Sequence, residues 1–305
     1  MAAPKVLVGG GTGFIGKHLG RKLNSNGYEV INVSRMPAPQ NISWTNLSEK
    51  GLPKNTVAVV NLAGQQFMDL TKTWSPGLKQ NVENSRVYTN KALTKAIKEG
   101  TDKPKAFIAM SGVGIYEPSE YDGEKYDESS PSTGNDFFSQ LCVKWEAAAQ
   151  ADPPTRLVII RSGAVLAPEG GMIKNMYYPF LFGLGGRIGS GKQYLPWIHM
   201  EDLTNLIVHS IKNEVKGVLN GVAPQVITNG DFTKAFAKAL KRPALIPVPA
   251  KILNVVLNEE RAIILTKGQY VRPKRTLETG FKYKYIDIYE ACKDCVKKTP
   301  MKPKK

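Results

Sequence analysis

The segment VLVGGGTGFIG at residues 6–16 constrains this chain more than any other part of it. An apolar run stops at Gly9, Gly10 and Gly11 and resumes at Phe14 and Ile15, so a strand has to turn tightly into a helix. Gly10, Gly13 and Gly16 are spaced as GxxGxxG. In such a turn one glycine permits the reversal, and another lets the backbone approach a pyrophosphate. The third, Gly16, allows the helix to pack closely on the strand, and the phosphate faces the positive helix end. Thr12, Phe14 and Ile15 complete the loop. A glycine-rich turn that binds nothing would share the spacing, but the strand-to-helix context points to a dinucleotide.

Apolar runs and helical patterns alternate beyond this turn. Strand patterns fall at residues 5–8, 29–33, 56–62, 105–110 and 156–160, with a short one at 42–44. Helical patterns fall at residues 13–24, through Arg86 to Lys98, and at 137–149. Alternation of this kind predicts right-handed βαβ units, and near-continuous apolar strands predict helices on both sheet faces. The expected fold is therefore α/β, a Rossmann doubly wound parallel sheet with a smaller C-terminal substrate or cap lobe. Residues 1–165 would form the nucleotide-binding domain, completed by about 200–225 through a helix at 201–212 and a strand at 218–222. Residues 166–199 and 226–298 would form the cap lobe. Its first part holds Gly170, Gly171, Gly183, Gly185 and Gly186 with Tyr177, Tyr178 and Phe180, a composition that reads as a loop-rich cover. Asp231 is expected to cap a helix ending at Leu240, and Asp202 to cap or orient the helix after Met200.

Charge narrows the partner classes. The 305 residues carry 42 Lys and Arg against 26 Asp and Glu, a net +16. The last fifteen residues hold six lysines and one aspartate, so residues 299–305 read as a solvated basic tail. The remaining charge is spread without the arginine–aromatic interleaving that stacks single-stranded bases, which speaks against nucleic acid. No run of eighteen apolar residues exists, so no span and no membrane partner are expected. The expected partner is a small-molecule substrate of unknown structure, with the chain a monomer or homodimer. No secretion or transit segment precedes Lys5, which favours the cytoplasm, with the mitochondrial matrix as the alternative. Three cysteines fit a reducing compartment. Cys292 and Cys295 form a CxxC without a second pair or nearby histidine, so no metal is expected. Their spacing with Tyr285, Ile288, Tyr289 and Val296 describes the core face of a helix.

The residue type at the end of the second strand distinguishes NAD from NADP. An acidic side chain there bonds the free ribose hydroxyls of NAD. Here the strand ends Val33, Ser34, Arg35, and no carboxylate competes. A guanidinium and a hydroxyl suit the extra 2′-phosphate, so the expected cofactor is NADP(H).

Several motifs occur together: GGGTGFIG at 9–16, Ser34 with Arg35, NLAG at 61–64, FFSQLCVKWEAAA at 137–149, RSG at 161–163 and PWIHMED at 196–202. In this combination the chain resembles the extended short-chain dehydrogenase/reductases, and within them the atypical "epimerase family protein" subgroup with an extra C-terminal domain. The resemblance covers nearly the whole chain. It implies that Ser34 and Arg35 hold the 2′-phosphate and that Leu62 and Ala63 line the adenosine ribose and pyrophosphate. It also implies that Asn81 and Arg86 reach the cofactor from the following helix, and that Val165 touches the nicotinamide end.

The same resemblance exposes a gap. Members of the extended family use a serine, and a tyrosine and lysine spaced YxxxK, to exchange a proton with substrate. Counted from Glu146, the tyrosine and lysine positions fall on Phe138 and Cys142; counted from Tyr116, the serine position falls on Gly112. The substitute candidates are Ser111, Tyr116, Lys144 and His199, each of which also has a structural explanation. The expected function is an NADP-dependent oxidoreductase or epimerase on a small substrate. The alternative is a non-catalytic NADP(H)-binding sensor or interaction protein.

Overall fold

The computed structural model describes residues 2–35, 38, 41–69 and 72–299; residues 300–305 of the expected basic tail lie outside them. In chain order the strands are β1 Lys5–Gly9, β2 Glu29–Val33, β3 Asn41–Ile42, β4 Thr56–Asn61, β5 Ala106–Gly112, β6 Lys125–Tyr126, β7 Arg156–Ser162, β8 Ala164–Leu166, β9 Trp197–His199, β10 Gly217–Gly221 and β11 Tyr270–Val271. The helices are α1 Phe14–Ser25, α2 Trp44–Lys50, α3 Pro76–Glu99, α4 Phe137–Ala147, α5 Gly171–Leu181, α6 Met200–Lys212, α7 Asn229–Leu240, α8 Ala250–Leu257, α9 Glu259–Thr266, α10 Lys274–Glu278 and α11 Ile288–Lys298.

Seven strands form one sheet in the order β10-β7-β5-β4-β1-β2-β3, and every neighbouring pair is parallel. This is the Rossmann-type α/β sheet expected from the alternating pattern. From β1 the chain winds outward through β2 and β3, then returns to β4 and winds the other way. The reversal leaves a crevice at the C-terminal ends of β1 and β4, where open α/β sheets take their ligands.

Side chains alternate across the strands and meet helices on both faces. Val6, Val8, Ala58, Val60 and Ile108 are buried with Leu19 of α1 and Leu203, Leu206 and Ile207 of α6. Leu7, Val59, Phe107 and Ala109 are buried with Leu47 of α2 and Leu93 and Ile97 of α3. A separate apolar cluster joins β8, β9, α5, α7 and α11 around Trp197, Phe180, Phe232 and Phe236. Cys292 and Cys295 are fully buried free thiols in this cluster, on the inner face of α11.

Four local expectations are corrected. The strand expected at 42–44 ends at Ile42, because the Ser43 hydroxyl accepts from Asn46 N (2.9 Å) and starts α2 at Trp44. Residues 171–181 are helix rather than loop. Ile173, Tyr177 and Phe180 recur at helical spacing and bury one face, while Gly171 supplies the positive φ of +59° at the entry. The cap of α7 is Thr228, and Asp231 is the acidic partner of a reciprocal capping box.

Asp202 does not cap α6 either; His199 does, its Nδ1 accepting from Glu201 N (3.2 Å). The buried Asp202 carboxylate instead accepts from Lys284 N (2.7 Å) and Tyr285 N (2.9 Å), tying the segment before α11 onto α6. No helix among the described residues is long and apolar enough to cross a membrane.

Removing that carboxylate leaves two part-buried N–H groups without their charged acceptor. Asp202→Ala should lose about 1–3 kcal/mol in urea unfolding, with protection of the Lys284 and Tyr285 amides lost in hydrogen exchange. Unchanged protection would show that the tie carries no stability.

Candidate functional site

The glycine turn lies in the crevice between β1 and β4. Gly10 has φ +73°, a conformation open to glycine, and a Cβ there would sit 2.8 Å from Ala63 N and 2.9 Å from Leu62 C. Leu62 N donates to Gly9 O (2.8 Å), which fixes this backbone approach. A Cβ on Gly16 would lie 2.5 Å from Gly10 O, so the first turn of α1 packs directly on the loop. The N-terminus of α1 at Gly13 has no side-chain cap and no acidic residue in its first turn. Its leading N–H groups, from Phe14, Ile15 and Gly16, point from a positive helix end into the crevice mouth. Thr12 and Gly13 are exposed at that mouth. The cradle therefore fits a pyrophosphate.

Two further elements converge on it. Ser34, buried, and Arg35, exposed, follow β2 immediately, with Ser34 N donating to Ile42 O (3.0 Å). On the other side, the Phe14 ring fills the space beside Gly170, where a Cβ would meet it at 2.6 Å. Val165, central in β8 and paired with Ile198 of β9, sits one short turn before that contact.

Helix α3 contributes Arg86, buried against Gly64 and Gln65. Its Nη1 donates to Gln65 O (3.0 Å) and Val82 O (2.9 Å), and its guanidinium lies 5.0 Å from the Trp145 ring centre and 5.7 Å from that of Phe67. Burial lowers its pKa to about 10, which still leaves it charged at neutral pH. Asn81 stands exposed on the same helix. Five residues of helix turn through about 140° modulo a full circle, so Asn81 and Arg86 face different directions.

The three positions at which the family carries serine, tyrosine and lysine do come together. A Cβ on Gly112 would lie 3.5 Å from Cys142 Sγ, and one on Gly114 would lie 3.8 Å from Phe138 Cβ. The trio is thus Gly112, Phe138 and Cys142. Phe138 packs in an aromatic group, stacked on Trp74 (5.7 Å) and tilted against Phe67 (5.1 Å). Burial pushes the Cys142 thiol up to about 12, so it stays protonated.

Ser111 and Tyr116 belong to a buried polar network on the same side. Ser111 Oγ donates to Glu146 Oε1 (2.7 Å), and Arg161 binds both Glu146 oxygens (2.8 Å each). Arg161 Nη1 also donates to the Tyr116 hydroxyl (2.9 Å), which lies 2.9 Å from Asn220 Oδ1 and 3.0 Å from Asp127 O. Burial raises the Tyr116 pKa, so the phenol is held neutral. Glu146 and Arg161 went unread as site residues in the sequence. Their signal is a charge ending an apolar strand, with a carboxylate on the apolar face of the preceding helix.

The other two candidates lie elsewhere. Lys144 is exposed and pairs with Glu83 of α3 (2.9 Å). His199 is buried, its Nε2 3.2 Å from Asp294 Oδ2 and its ring 3.8 Å from that of Tyr285. It lines a cleft of about 310 Å³ between α1, α6 and α11 with His18, Arg21, Asp294 and Lys298, and that cleft contains none of the cradle residues. Among the described residues no cluster of His, Cys, Asp or Glu could hold a metal ion.

Sheet order, switch point and glycine cradle define a Rossmann-type nucleotide-binding protein of the extended short-chain dehydrogenase/reductase class. The chain belongs to the NAD dependent epimerase/dehydratase family, which residues 6–222 match, and residues 248–295 match a domain of unknown function, DUF1731. It is 48% identical over 295 residues to the mouse epimerase family protein SDR39U1, covering 96% of this chain and 99% of that protein. The crystal structure of human epimerase family protein SDR39U1 (isoform 2) with NADPH superposes with a TM-score of 0.94 at 45% identity, covering 96% of this chain and 99% of that one. A nucleoside-diphosphate sugar epimerase from Corynebacterium glutamicum superposes with a TM-score of 0.74 at 27% identity, covering 95% of this chain and 57% of that one.

His199 carries a pH signature. Burial outweighs the opposing attraction of Asp294 and lowers its pKa from 6.5 to about 4. Between those values the unfolded chain binds a proton that the folded chain refuses, so stability falls as pH falls through that window. Unfolding free energies measured across it should show this slope, and His199→Gln should remove up to one proton's worth. An identical slope in the variant would sink the assignment.

Proposed function

We propose that this chain binds NADP(H) in the cradle between β1 and β4, and that it does so without the Tyr–Lys proton relay of its enzymatic relatives. The observation that carries the reading is the uncapped N-terminus of α1 behind Gly10, whose backbone lies against Ala63. In this reading Gly10, Thr12, Gly13 and the N–H groups of Phe14, Ile15 and Gly16 take the pyrophosphate. Leu62 and Ala63 line the adenosine ribose, Ser34 and Arg35 hold the 2′-phosphate, and Val165 borders the nicotinamide. Arg86 faces the cofactor from α3, with Asn81 at the edge. Bound there, the dinucleotide can supply or accept a hydride. Gly112 and Phe138 carry no titratable group there, and the Cys142 thiol is held protonated by burial. The human relative crystallised with NADPH supports the choice of cofactor.

A second reading, an oxidoreductase or epimerase on a small substrate, is favoured by Arg86. A buried guanidinium between two aromatic faces is suited to polarise a carbonyl or hold an anionic substrate group. The sugar-nucleotide epimerase among the similar structures supports nucleoside-diphosphate sugars as the first class to try. Consumption of NADPH on such a panel, reduced about a hundredfold by Arg86→Gln, would establish it.

Thermal-shift titration separates the cofactors. NADPH at about a hundred times its Kd should stabilise the fold by about 2.7 kcal/mol, while NADH at the same concentration should do much less. Arg35→Glu should remove the preference, and Gly10→Ala should remove both responses. A wild-type preference for NADH would overturn the role given to Arg35.

A further inference from the structure

One surface of the cap lobe is explained neither by the cradle nor by the lobe's core. Two segments build it by running side by side. Ile246 N donates to Gly185 O (3.3 Å), Val248 N to Arg187 O (2.9 Å) and Gly189 N to Val248 O (2.9 Å). Arg242 Nε donates to Leu181 O (2.9 Å), closing the far end. Helix α8 follows directly at Ala250 and buries Leu257, while Val255 and Val256 point outward. Val255 is 87%, Leu245 82% and Phe182 72% exposed, and Leu184 projects beside them. Single exposed apolar residues are ordinary, whereas a set on adjoining segments marks a contact surface.

The charge carried by these two segments and by α8 has one sign. Residues 170–200 and 232–258 contain eight Lys and Arg and no Asp or Glu, so these fifty-eight residues hold half of the chain's net +16. Arg187, Lys241, Arg242 and Lys251 are exposed on the same two segments and on α8. We propose that this face docks on an anionic phospholipid bilayer. Phe182, Leu184, Leu245, Val255 and Val256 enter the layer between headgroups and acyl chains. The four cations engage the lipid phosphates.

The charge pattern chooses this occupant over a second copy of the chain, which would bring Arg187, Lys241, Arg242 and Lys251 face to face, with the nearest carboxylates along the chain, Glu259 and Glu260, set beyond α8 on α9. No helix among the described residues spans a bilayer, but contact with its surface needs no span.

The test is co-sedimentation of the full chain with vesicles of phosphatidylcholine alone and of phosphatidylcholine mixed equally with phosphatidylserine. The anionic vesicles should bind at least about tenfold more tightly. The pair Leu245→Asp and Val255→Asp should abolish binding, as should the pair Lys241→Glu and Arg242→Glu. Both variants should keep the thermal shift with NADPH, which separates loss of docking from loss of folding or of the cradle. Absence of binding to anionic vesicles would overturn the proposal. So would binding that survives the apolar pair, since charge alone would then suffice. A lipid-free dimer converted to monomer by the apolar pair would assign the face to a second copy instead.

Discussion

The closest constraint in this molecule is the contact of one backbone with another, Gly10 against Leu62 and Ala63. It depends on glycine twice over, for its positive φ and for its missing Cβ. It also joins the two halves of a sheet that winds in opposite directions from that point, so the loops after β1 and β4 share one crevice. Everything offered to a dinucleotide follows from this geometry. Helix α1 leaves the turn with no side chain capping its N-terminus, Gly16 lets it lie flat on the loop, and the end of β2 carries Ser34 and Arg35. A side chain at Gly10 would part the two loops and dismantle the crevice without touching the hydrophobic core.

The second organising feature is polar. Glu146, Arg161, Tyr116 and Asn220 form a hydrogen-bonded chain below the crevice, and Asn220 N continues it to Glu128 Oε1 (2.9 Å). Glu128 in turn accepts from the backbone N–H of Arg275 and Thr276 at the start of α10. Buried charges are tolerated when every partner is supplied, and here the satisfied chain runs from α4 through β7 and β10 into the C-terminal segment. It engages the hydroxyls of Ser111 and Tyr116 in holding elements together. A proton drawn from either would leave a buried charge among fixed partners.

Most of the sheet was legible because parallel strands covered on both faces are almost wholly apolar and stand out from polar helices. The turn at residues 9–16 was legible because glycine at fixed intervals has few structural uses. What could not be read was set by particular partners, some adjacent in sequence and some far from it. Trp44 looked like a strand residue until the Ser43 hydroxyl claimed Asn46 N. The helix at Gly171–Leu181 hid behind flanking glycines, although Ile173, Tyr177 and Phe180 already recur at helical spacing and are buried in one cluster with residues of α7 and α11. Asp202 resembled a cap, and its carboxylate reaches backbone more than eighty residues away. In the site, the gathering of Gly112, Phe138 and Cys142 could be inferred by register, but the buried setting of Arg86 could not.

Arg86 and Cys142 together describe how the electrostatics of this crevice have been redistributed. In the extended family a lysine on the α4 helix supplies the positive charge near the reacting centre. Here that position holds a thiol that burial keeps neutral, and the cation enters from α3 instead. A lysine pivots on a flexible stem and can lower the pKa of a tyrosine beside it. Arg86 is clamped by Gln65 O, Val82 O and two aromatic rings, and Phe138 offers no hydroxyl to activate. A fixed guanidinium in such a setting can attract an anionic or carbonyl oxygen but cannot pass a proton, because it does not release one at physiological pH. The chain's own residues at the Gly112, Phe138 and Cys142 positions thus repeat neither the hydroxyl nor the ammonium of the family's relay, and the charge beside them is a fixed one.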